Sequence, residues 1–449
     1  MRLNTKILFI LFSIVLIFAC NGCGQGGRTK DAPEVISMTS LLPRMSLVVI
    51  AEGAFSIDWG DGNITRVESD MTADCDEGCA HTHASTSGNR FTHEFEVRPN
   101  PREQSTVTIT GRITEFYADS NWLTSINLSK NPSLEILSLH NNRLANVDVS
   151  KNKALRELYI SRNQLRSVDL SNNVSLTMLD CSENLLTDLD IRKNTLLTLL
   201  VCCRNRLTDL DISNNSLLTH FGCSNNQLTD LDLSNNLLLT HLDLSHNRLA
   251  HIDISKNVEI IELDMSANLF ESVDLSNNQS LRYLFLNSNQ LPHLDLTNNT
   301  SLRNLSLSRN VLTNLNTSSH TSLEHLIINN NRLSSLDLRR NTALVRLNCS
   351  GNLLSRLDVS RNTALILINC SDNQLSGLDV RNNTALRSLN VSNNRFSITG
   401  LNNLFRTLHN DQVGKEVLIC DNPGTNGSDT SIATGRGWSI SVVDLIGCR

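Results

Sequence analysis

Aromatic residues are scarce in this chain, and clusters of basic residues are missing from it. Phe, Trp and Tyr together make up 4% of its 449 residues, so a binding surface built on aromatic side chains has few positions to use. The 39 Lys and Arg residues are scattered and the net charge is -6, which argues against a nucleic-acid partner. A basic membrane-binding helix is also missing. Since no nucleotide-binding loop, GxSxG or HExxH motif is present, the sequence predicts a non-enzymatic protein without a cofactor.

The first 19 residues have the organisation of a signal peptide. Arg2 and Lys6 precede an apolar run over residues 7–18, which is too short to span a membrane stably. The following "IFAC" resembles a bacterial lipobox, which implies cleavage before Cys20 and attachment of lipid to it; a plain signal peptide is the alternative. Residues 20–30 then form a flexible leash between the membrane anchor and the folded chain.

The 12 cysteines include two informative groups. The first recurs at one apolar position of the repeat described below, where we expect small buried thiols, although stacking would also bring them within disulfide range: Cys181, Cys202, Cys223, Cys349 and Cys370. The second group are disulfide candidates: Cys420 and Cys448, and Cys75 and Cys79. The segment "CDEGCAHTH" also holds His81 and His83, but its spacing departs from common zinc patterns, so we expect a local disulfide or a loop rather than a metal site.

Residues 113–406 repeat with a period of 21 residues and without a gap. Fourteen units follow the template LxxLxLxxNxLxxLDLSxNxx, the first at Ile113 and the last at Leu386. The LxL segment has the period of two that is typical of a strand with both leucines in the core. One unit buries too little apolar surface to fold alone, whereas stacked units share a core. Because the second half of each unit repeats the pattern, we predict strand-like segments on both walls of the solenoid.

An asparagine occupies the same place in all fourteen units. A buried Asn amide there would satisfy backbone groups that the turn after the strand leaves unpaired. We predict a structural ladder from this column: Asn121, Asn142, Asn163, Asn184, Asn205, Asn226, Asn247, Asn268, Asn289, Asn310, Asn331, Asn352, Asn373 and Asn394. A second asparagine column runs through the other half of the unit, from Asn131 to Asn383.

A column of aspartates, from Asp148 to Asp379, lies in the second half of the unit. Stacked carboxylates about 5 Å apart repel each other, so another interaction must offset them. We expect each carboxylate to accept hydrogen bonds from backbone N–H groups of the next turn; a calcium-binding wall is the alternative. The unit at Leu302 departs from the pattern with Asn316, Thr317 and His320, which predicts a local irregularity.

The repeat resembles the bacterial leucine-rich repeats with nested periodicity that occur in internalin-like proteins and in surface lipoproteins of Bacteroides-type bacteria. The resemblance covers residues 113–406 and implies a mostly β leucine-rich repeat solenoid. It implies little about biochemical function, because this fold is a scaffold. Together with the lipobox it implies a lipid anchor in the bacterial outer membrane. We expect the cell surface rather than the periplasmic face, although no acidic run follows Cys20 of the kind that sends some such lipoproteins outward.

Two segments without the repeat flank the solenoid. Residues 31–112 contain β-like runs, and "IDWGDG" with the downstream "FTHEF" resembles polycystic-kidney-disease-like modules. This implies a small β-sandwich that covers the open end of the core. Residues 407–449 lose the period, and we predict a C-terminal cap in which Trp438 covers the last leucines.

Candidate functional residues lie at the outward positions of the predicted strands, which ought to be polar. Two groups there are apolar: Tyr283 and Phe285 with His325 and Ile327, and Met178, Leu199 and Val201. Exposed aromatic patches rimmed by polar groups mark interaction sites. The alternative is that these side chains cover one another on a gently curved sheet.

Acidic and histidine side chains lie between the two apolar groups: Asp243, Glu262 and Asp264 beside His220 and His241. Carboxylates on adjacent strands stand about 5 Å apart, which is the separation in a retaining glycosidase. A shallow open face provides no water-excluding pocket, so we expect a solvated acidic stripe rather than catalysis or metal binding.

These observations favour non-catalytic binding of a protein partner through the concave sheet, in adhesion or host interaction, by a monomeric chain. Binding of a glycan or envelope polysaccharide on the same face is one alternative. A structural periplasmic lipoprotein without a specific ligand is the other.

Overall fold

The computed structural model describes residues 33–41, 44–68, 89–94, 105–410 and 414–442. Several features predicted from the sequence lie outside these residues: the signal peptide, Cys20 and the leash, the pair Cys75 and Cys79, and Cys448. They stay predictions. None of the helices in the described part is long and apolar enough to cross a membrane.

The N-terminal region contributes to two sheets, each of which continues into the first repeat. Its strands are β1 (Val35–Ser40), β2 (Arg44–Ala51), β3 (Phe55–Asp58), β4 (Ile64–Val67), β5 (Asn89–Glu94) and β6 (Ser105–Thr110), and the first repeat supplies β7 (Ile113–Tyr117) and β8 (Leu123–Lys130). One sheet has the order β4-β3-β6-β1-β8, and in the other β2 pairs antiparallel with both β5 and β7. The region therefore covers the open end of the solenoid by pairing strands with it.

The "IDWGDG" and "FTHEF" segments meet in this region. The indole of Trp59 stacks on the imidazole of His93 with centroids 4.7 Å apart, and His93 Nε2 lies 2.6 Å from an Asp61 carboxylate oxygen. Trp59 itself is buried and its Nε1 donates to the Thr65 hydroxyl. The motif is thus a structural cluster of this β region; its assignment to polycystic-kidney-disease-like modules stays a prediction.

Each of the fourteen predicted units supplies one short parallel strand to a continuous sheet. After β7 these strands are β9 (Ile136–Ser138), β10 (Glu157–Tyr159), β11 (Met178–Asp180), β12 (Leu199–Val201), β13 (His220–Gly222), β14 (His241–Asp243), β15 (Glu262–Asp264), β16 (Tyr283–Phe285), β17 (Asn304–Ser306), β18 (His325–Ile327), β19 (Arg346–Asn348), β20 (Leu367–Asn369) and β21 (Ser388–Asn390). Neighbouring strands pair in register, 21 residues apart, as in Leu242 opposite Leu263. The central residue of each strand points into the core, so the flanking two face outward.

The first asparagine column forms the predicted ladder. Asn163 is typical: its Nδ2 donates to the carbonyls of Leu139, 2.9 Å away in the preceding coil, and Ile160, 3.1 Å away in its own coil. Its Oδ1 accepts the backbone N–H of Leu144 at 3.0 Å, again in the preceding coil. The side chain therefore ties two coils together and leaves few orphaned backbone groups in the turn.

A strained backbone position precedes this asparagine in most coils. The residue before it adopts a left-handed conformation, with φ of 54° at Arg162, 51° at Glu183 and 54° at Ala267. Side chains other than glycine rarely adopt this conformation. Because Arg, Glu and Ala occupy it here, the ladder bonds rather than glycine hold the turn.

The second wall of the solenoid differs from the prediction. From residue 139 to residue 397 every strand lies on the first wall, and the second wall is built of turns and irregular chain. One backbone hydrogen bond joins successive coils at the start of this wall, such as Gln164 N–H to the Leu144 carbonyl at 2.8 Å. The prediction of strand-like segments on both walls was wrong here, because each turn uses its backbone groups locally instead of in a ladder.

The second asparagine column and the aspartates organise these turns. Asn173 Nδ2 donates to the carbonyls of Val149 and Asn152 at 3.0 and 2.8 Å, and its Oδ1 is buried without a hydrogen-bond partner. The carboxylate of Asp169 accepts the backbone N–H of Ser171 at 2.9 Å, and the equivalent bond recurs along the column. This confirms the expected structural role of the aspartates.

The cysteines of the repeat are buried free thiols, as expected: Cys181, Cys202, Cys223, Cys349 and Cys370. Cys181, Cys202 and Cys223 occupy the same core position in three successive coils. Burial raises the pKa of each of these three thiols, so they behave as small hydrophobic side chains rather than as nucleophiles.

The C-terminal segment extends the sheet by two strands, β22 (Lys415–Leu418) and β23 (Trp438–Ser441). Helix α1 (Ile398–Thr407) lies between the last repeat strand and β22, and a 3₁₀ turn (Thr425–Gly427) and helix α2 (Ser431–Thr434) lie between β22 and β23. Ser397 caps α1 by accepting the Gly400 N–H. Trp438 is buried and donates through Nε1 to the His409 carbonyl at 3.0 Å.

The coil at residue 302 interrupts the second ladder with a histidine. His320 is buried, and its Nε2 donates to the Leu296 carbonyl at 3.2 Å, in the role of an asparagine amide, while Nδ1 has no hydrogen-bond partner. Burial lowers the pKa of this imidazole. Thr317 adds a bond that the other coils lack, from its hydroxyl to Asn341 Oδ1 at 2.9 Å.

The ladder predicts a large difference between two neighbouring asparagines. Replacing buried Asn173 by Ala removes its two hydrogen bonds to the Val149 and Asn152 carbonyls and should lower the free energy of unfolding by about 1–3 kcal/mol. Replacing Asn172, which is exposed, should change it by less than about 0.5 kcal/mol. Urea denaturation of both variants measures the difference; equal effects would contradict a structural ladder.

The buried histidine predicts a pH-dependent stability. An ordinary histidine protonates near pH 6.5, and the unfolded chain binds that proton whereas folded His320 resists it, so stability falls as the pH drops below about 6.5. His320→Asn should keep the bond to the Leu296 carbonyl and restore the second ladder bond, which stabilises the protein by about 1 kcal/mol at pH 7 and by more at pH 5. The control is His293→Asn at an exposed histidine. Urea midpoints at both pH values are compared, and a gain for His320→Asn that does not grow at pH 5 contradicts the assignment.

Candidate functional site

The concave sheet presents two parallel rows of outward side chains. The first row runs through Leu199, His220, His241, Glu262, Tyr283, Asn304 and His325, and the second through Val201, Gly222, Asp243, Asp264, Phe285, Ser306 and Ile327. All the candidate site residues predicted from the sequence lie in these two rows. Their order along the sheet is apolar, histidine, acidic, aromatic and then mixed.

The predicted apolar group is divided between two strands, β16 and β18, with a polar strand between them. Tyr283 and Phe285 flank the core leucine of β16 and are partly exposed. His325 and Ile327 lie two strands away, with Asn304 and Ser306 between them. Ile327 is 37% exposed, the highest value of the apolar residues in the two rows. The structure thus brings Tyr283 and Phe285 together and separates them from Ile327 by a narrow polar strand.

Tyr283 differs from the other two tyrosines of the chain. The hydroxyls of Tyr117 and Tyr159 each donate to a glutamate two residues earlier at 2.8 Å, Glu115 and Glu157. Burial and this bond raise the pKa of both phenols. The hydroxyl of Tyr283 makes no hydrogen bond to any described residue, so it is available to a ligand.

The two histidines stack on adjacent strands. The rings of His220 and His241 have centroids 4.4 Å apart and an interplanar angle of 7°. In each, Nδ1 lies 2.9 Å from the hydroxyl of the preceding threonine, Thr219 or Thr240. Burial lowers the pKa of both imidazoles, and His241 is lowered further by His220, so both rings are neutral near pH 7.

The three carboxylates are partly buried and influence one another. Asp243 accepts the backbone N–H and the hydroxyl of Ser245, and Asp264 accepts the Ser266 N–H at 2.8 Å. Burial, and then Asp243, raise the pKa of Asp264 to about 7 and that of Glu262 in the same direction. Asp264 is thus partly desolvated, in contrast to the solvated stripe expected from the sequence, because neighbouring side chains cover part of its carboxylate.

The second row contains one glycine. Gly222 lies between Val201 and Asp243, and a Cβ atom there would lie 3.2 Å from the Cys203 thiol. Two small clefts, of about 40 and 60 Å³, lie along the aspartate turns and involve neither the histidines nor the acidic group of the concave face.

The second apolar group of the concave face borders a patch that the sequence analysis missed. Met178 is in register with Leu199. In the turns that precede strands β11 to β15, six aliphatic side chains are 40–50% exposed. We term them the rim patch: Val174, Leu196, Leu217, Leu237, Leu238 and Val258. These six residues occupy the last two positions of the 21-residue unit. Most other coils carry Thr, Ser, Ala or Lys there. A comparison of columns outside the strands would have found this signal.

Solved structures place the fold among known proteins. The functional domain of InlJ from Listeria monocytogenes, which includes a cysteine ladder, is 28% identical with a TM-score of 0.60, over 70% of this chain and 76% of that one. The chain is a leucine-rich repeat solenoid. Its own stacked thiols, Cys181, Cys202 and Cys223, parallel the feature for which that domain is described.

Two further structures match across the repeats. The leucine-rich repeat domain of APL1 is 27% identical, with a TM-score of 0.53, over 63% of this chain and 79% of that one. The ectodomain of the plant receptor kinase GASSHO1/SCHENGEN3 from Arabidopsis thaliana, solved in complex with Casparian strip integrity factor 2, is 20% identical over 74% of this chain and 47% of that one, with a TM-score of 0.57. No protein-family model and no curated protein sequence matches the chain. The matches indicate no enzymatic family.

Proposed function

We propose that the solenoid binds a protein partner through its concave face, at a site centred on Tyr283 and Phe285. The observation that carries this proposal is a partly exposed Tyr–Phe pair, beside Ile327, on a sheet whose other outward positions are mainly polar. Aromatic side chains with such surroundings dominate binding energy in protein interfaces. The free hydroxyl of Tyr283 adds a polar contact that orients the partner.

The rest of the face supports a protein more than a small molecule. The rows are open and shallow, so a ligand must supply its own surface to exclude water. Rigid register between strands holds the side chains in place without a ligand, which reduces the entropy lost on binding. The structural neighbours include a receptor ectodomain solved in complex with Casparian strip integrity factor 2, which is consistent with a binding role for this fold.

We further propose that lipid on Cys20 anchors the chain in the bacterial outer membrane, with the solenoid at the cell surface, where it acts in adhesion or host interaction. Support comes from the lipobox-like "IFAC" and the apolar run before it. A tethered scaffold that displays a rigid face suits contact with another surface, because the tether keeps its local concentration high.

The binding site is tested with the full chain against surface proteins extracted from host cells and from neighbouring bacteria. Tyr283→Ala with Phe285→Ala should weaken capture at least about tenfold, since loss of hot-spot side chains costs about 2 kcal/mol or more. Tyr159→Ala, which removes a tyrosine from the row that contains Phe285, is the matched control. Undiminished capture by the double variant contradicts the site.

Two further arms separate the competing possibilities. Leu217→Asn with Leu238→Asn disrupts the rim patch, and selective loss with this pair would move the contact from the concave face to the rim. Treating the extract with protease should abolish capture of a protein partner, whereas periodate treatment or competition by free sugar abolishes capture of a glycan.

The proposed location is tested by protease treatment of intact cells, followed by detection of the repeat domain. We expect the solenoid to be cut on intact cells, because a surface anchor exposes it. Lysed cells provide the control that the domain can be cut at all. Protection in intact cells with cleavage in lysed cells would place the solenoid on the periplasmic side and contradict a host-facing role.

A further inference from the structure

We propose that His220 and His241 form a binding site for a divalent transition-metal ion on the concave face. The site goes beyond the proposed binding of a protein partner and does not depend on it. It rests on the placement of the two imidazoles, on the hydrogen bonds that orient them and on the free carboxylate beside them.

The first step is the register of the two strands. His220 and His241 are paired residues of β13 and β14, and their rings are nearly parallel at 4.4 Å. Both Nδ1 atoms bond to the equivalent threonine, so the rings are related by the shift from one coil to the next. The two Nε2 atoms consequently point the same way, and neither has a hydrogen-bond partner among the described residues.

The threonines fix which ring nitrogen is available. The hydroxyl of Thr219 donates to the Thr198 carbonyl at 3.1 Å, and that of Thr240 donates to the Thr219 carbonyl at 3.0 Å. The hydroxyl of Thr177 donates to the Arg156 carbonyl at 3.1 Å, although a methionine, Met178, follows it. The threonines of this column therefore make this bond whether or not a histidine follows. With its proton committed, each threonine oxygen accepts from Nδ1–H, which leaves the lone pair on Nε2.

This arrangement is the one in which imidazole binds metals. Metal-ligating histidines donate their other ring N–H to an oxygen, which fixes the tautomer and the ring orientation. The neutral imidazole is the form that binds a metal ion, through the nitrogen that carries no proton. Imidazole nitrogen selects Zn²⁺, Cu²⁺ or Ni²⁺ over Ca²⁺ and Mg²⁺, which prefer oxygen ligands.

Glu262 is the carboxylate best placed to complete the shell. It follows His241 in the first row, and its carboxylate makes no hydrogen bond to a described residue. Among the described residues, no three potential ligands are already close enough to hold a metal ion. Binding of the ion would therefore draw the two imidazoles and the Glu262 carboxylate together. Bonds of about 2.0–2.1 Å to two nitrogens require the Nε2 atoms to approach to about 3.3 Å, so the two stacked rings must tilt toward each other when the ion binds.

The test measures binding of Cu²⁺ alone to the full chain by titration and by electron paramagnetic resonance. All proteins carry His81→Gln and His83→Gln, which removes the other histidine-rich segment. We expect one equivalent bound with couplings to two imidazole nitrogens. His220→Gln and His241→Gln should each weaken this binding at least tenfold and remove one nitrogen coupling, and Glu262→Gln should weaken it less.

The matched control is His325→Gln, which removes a histidine of the same row that has no histidine neighbour in register. It should leave affinity and nitrogen couplings unchanged. Circular dichroism confirms that each variant is folded. The proposal is overturned if the parent binds no Cu²⁺, if His220→Gln and His241→Gln bind as the parent does, or if His325→Gln reduces binding equally. Because no protein partner enters this assay, its outcome is independent of the capture experiment.

Discussion

A buried asparagine side chain that reaches a carbonyl 24 residues earlier in the chain sets the geometry of the whole solenoid. Its Nδ2 and Oδ1 both bond the preceding coil, as Asn163 does with Leu139 and Leu144. Because each coil must present those groups at the same height, neighbouring coils are held in register, and the core leucines stack in columns. The same bonds hold a left-handed backbone position in place with side chains as large as Arg162. Chain positions that neither ladder nor core uses are free to vary, and these include both rows of the concave face.

The sequence identified the solenoid because its rules are local and recur in every unit. An invariant Asn in each of fourteen units admits few explanations other than a buried structural amide, and the leucine period fixes which side chains face inward. The two rows of the concave face followed from the same register. The N-terminal region was expected to abut the first coil; the structure joins them more closely, through β1 paired with β8 and β2 paired with β7, which no repeat pattern encodes.

The repeat pattern could not predict features that depend on which neighbouring group takes a hydrogen bond or excludes water. The second wall shares the leucine pattern of the first, yet its aspartates take the backbone N–H groups that a strand would need, as Asp169 does with Ser171. The raised pKa of Asp264 depends on how far its neighbours exclude water. The orientation of His220 and His241 depends on where the proton of a threonine goes, and the rim patch lies at turn positions where most coils are polar.

The absence of any gap in the 21-residue period constrains how such a protein can change in length. Gain or loss of a few residues within a coil would move the asparagine away from its carbonyl and break both ladders at that point. Duplication or loss of a complete unit preserves every ladder bond and lengthens or shortens the sheet by one strand spacing, about 4.8 Å. Tyr283 lies two strands from His241, so one added unit between them would separate these groups by a further strand while leaving each intact. The length of the sheet and the distance between groups on its concave face can therefore change by whole strand spacings, without a change in the side chains of each group.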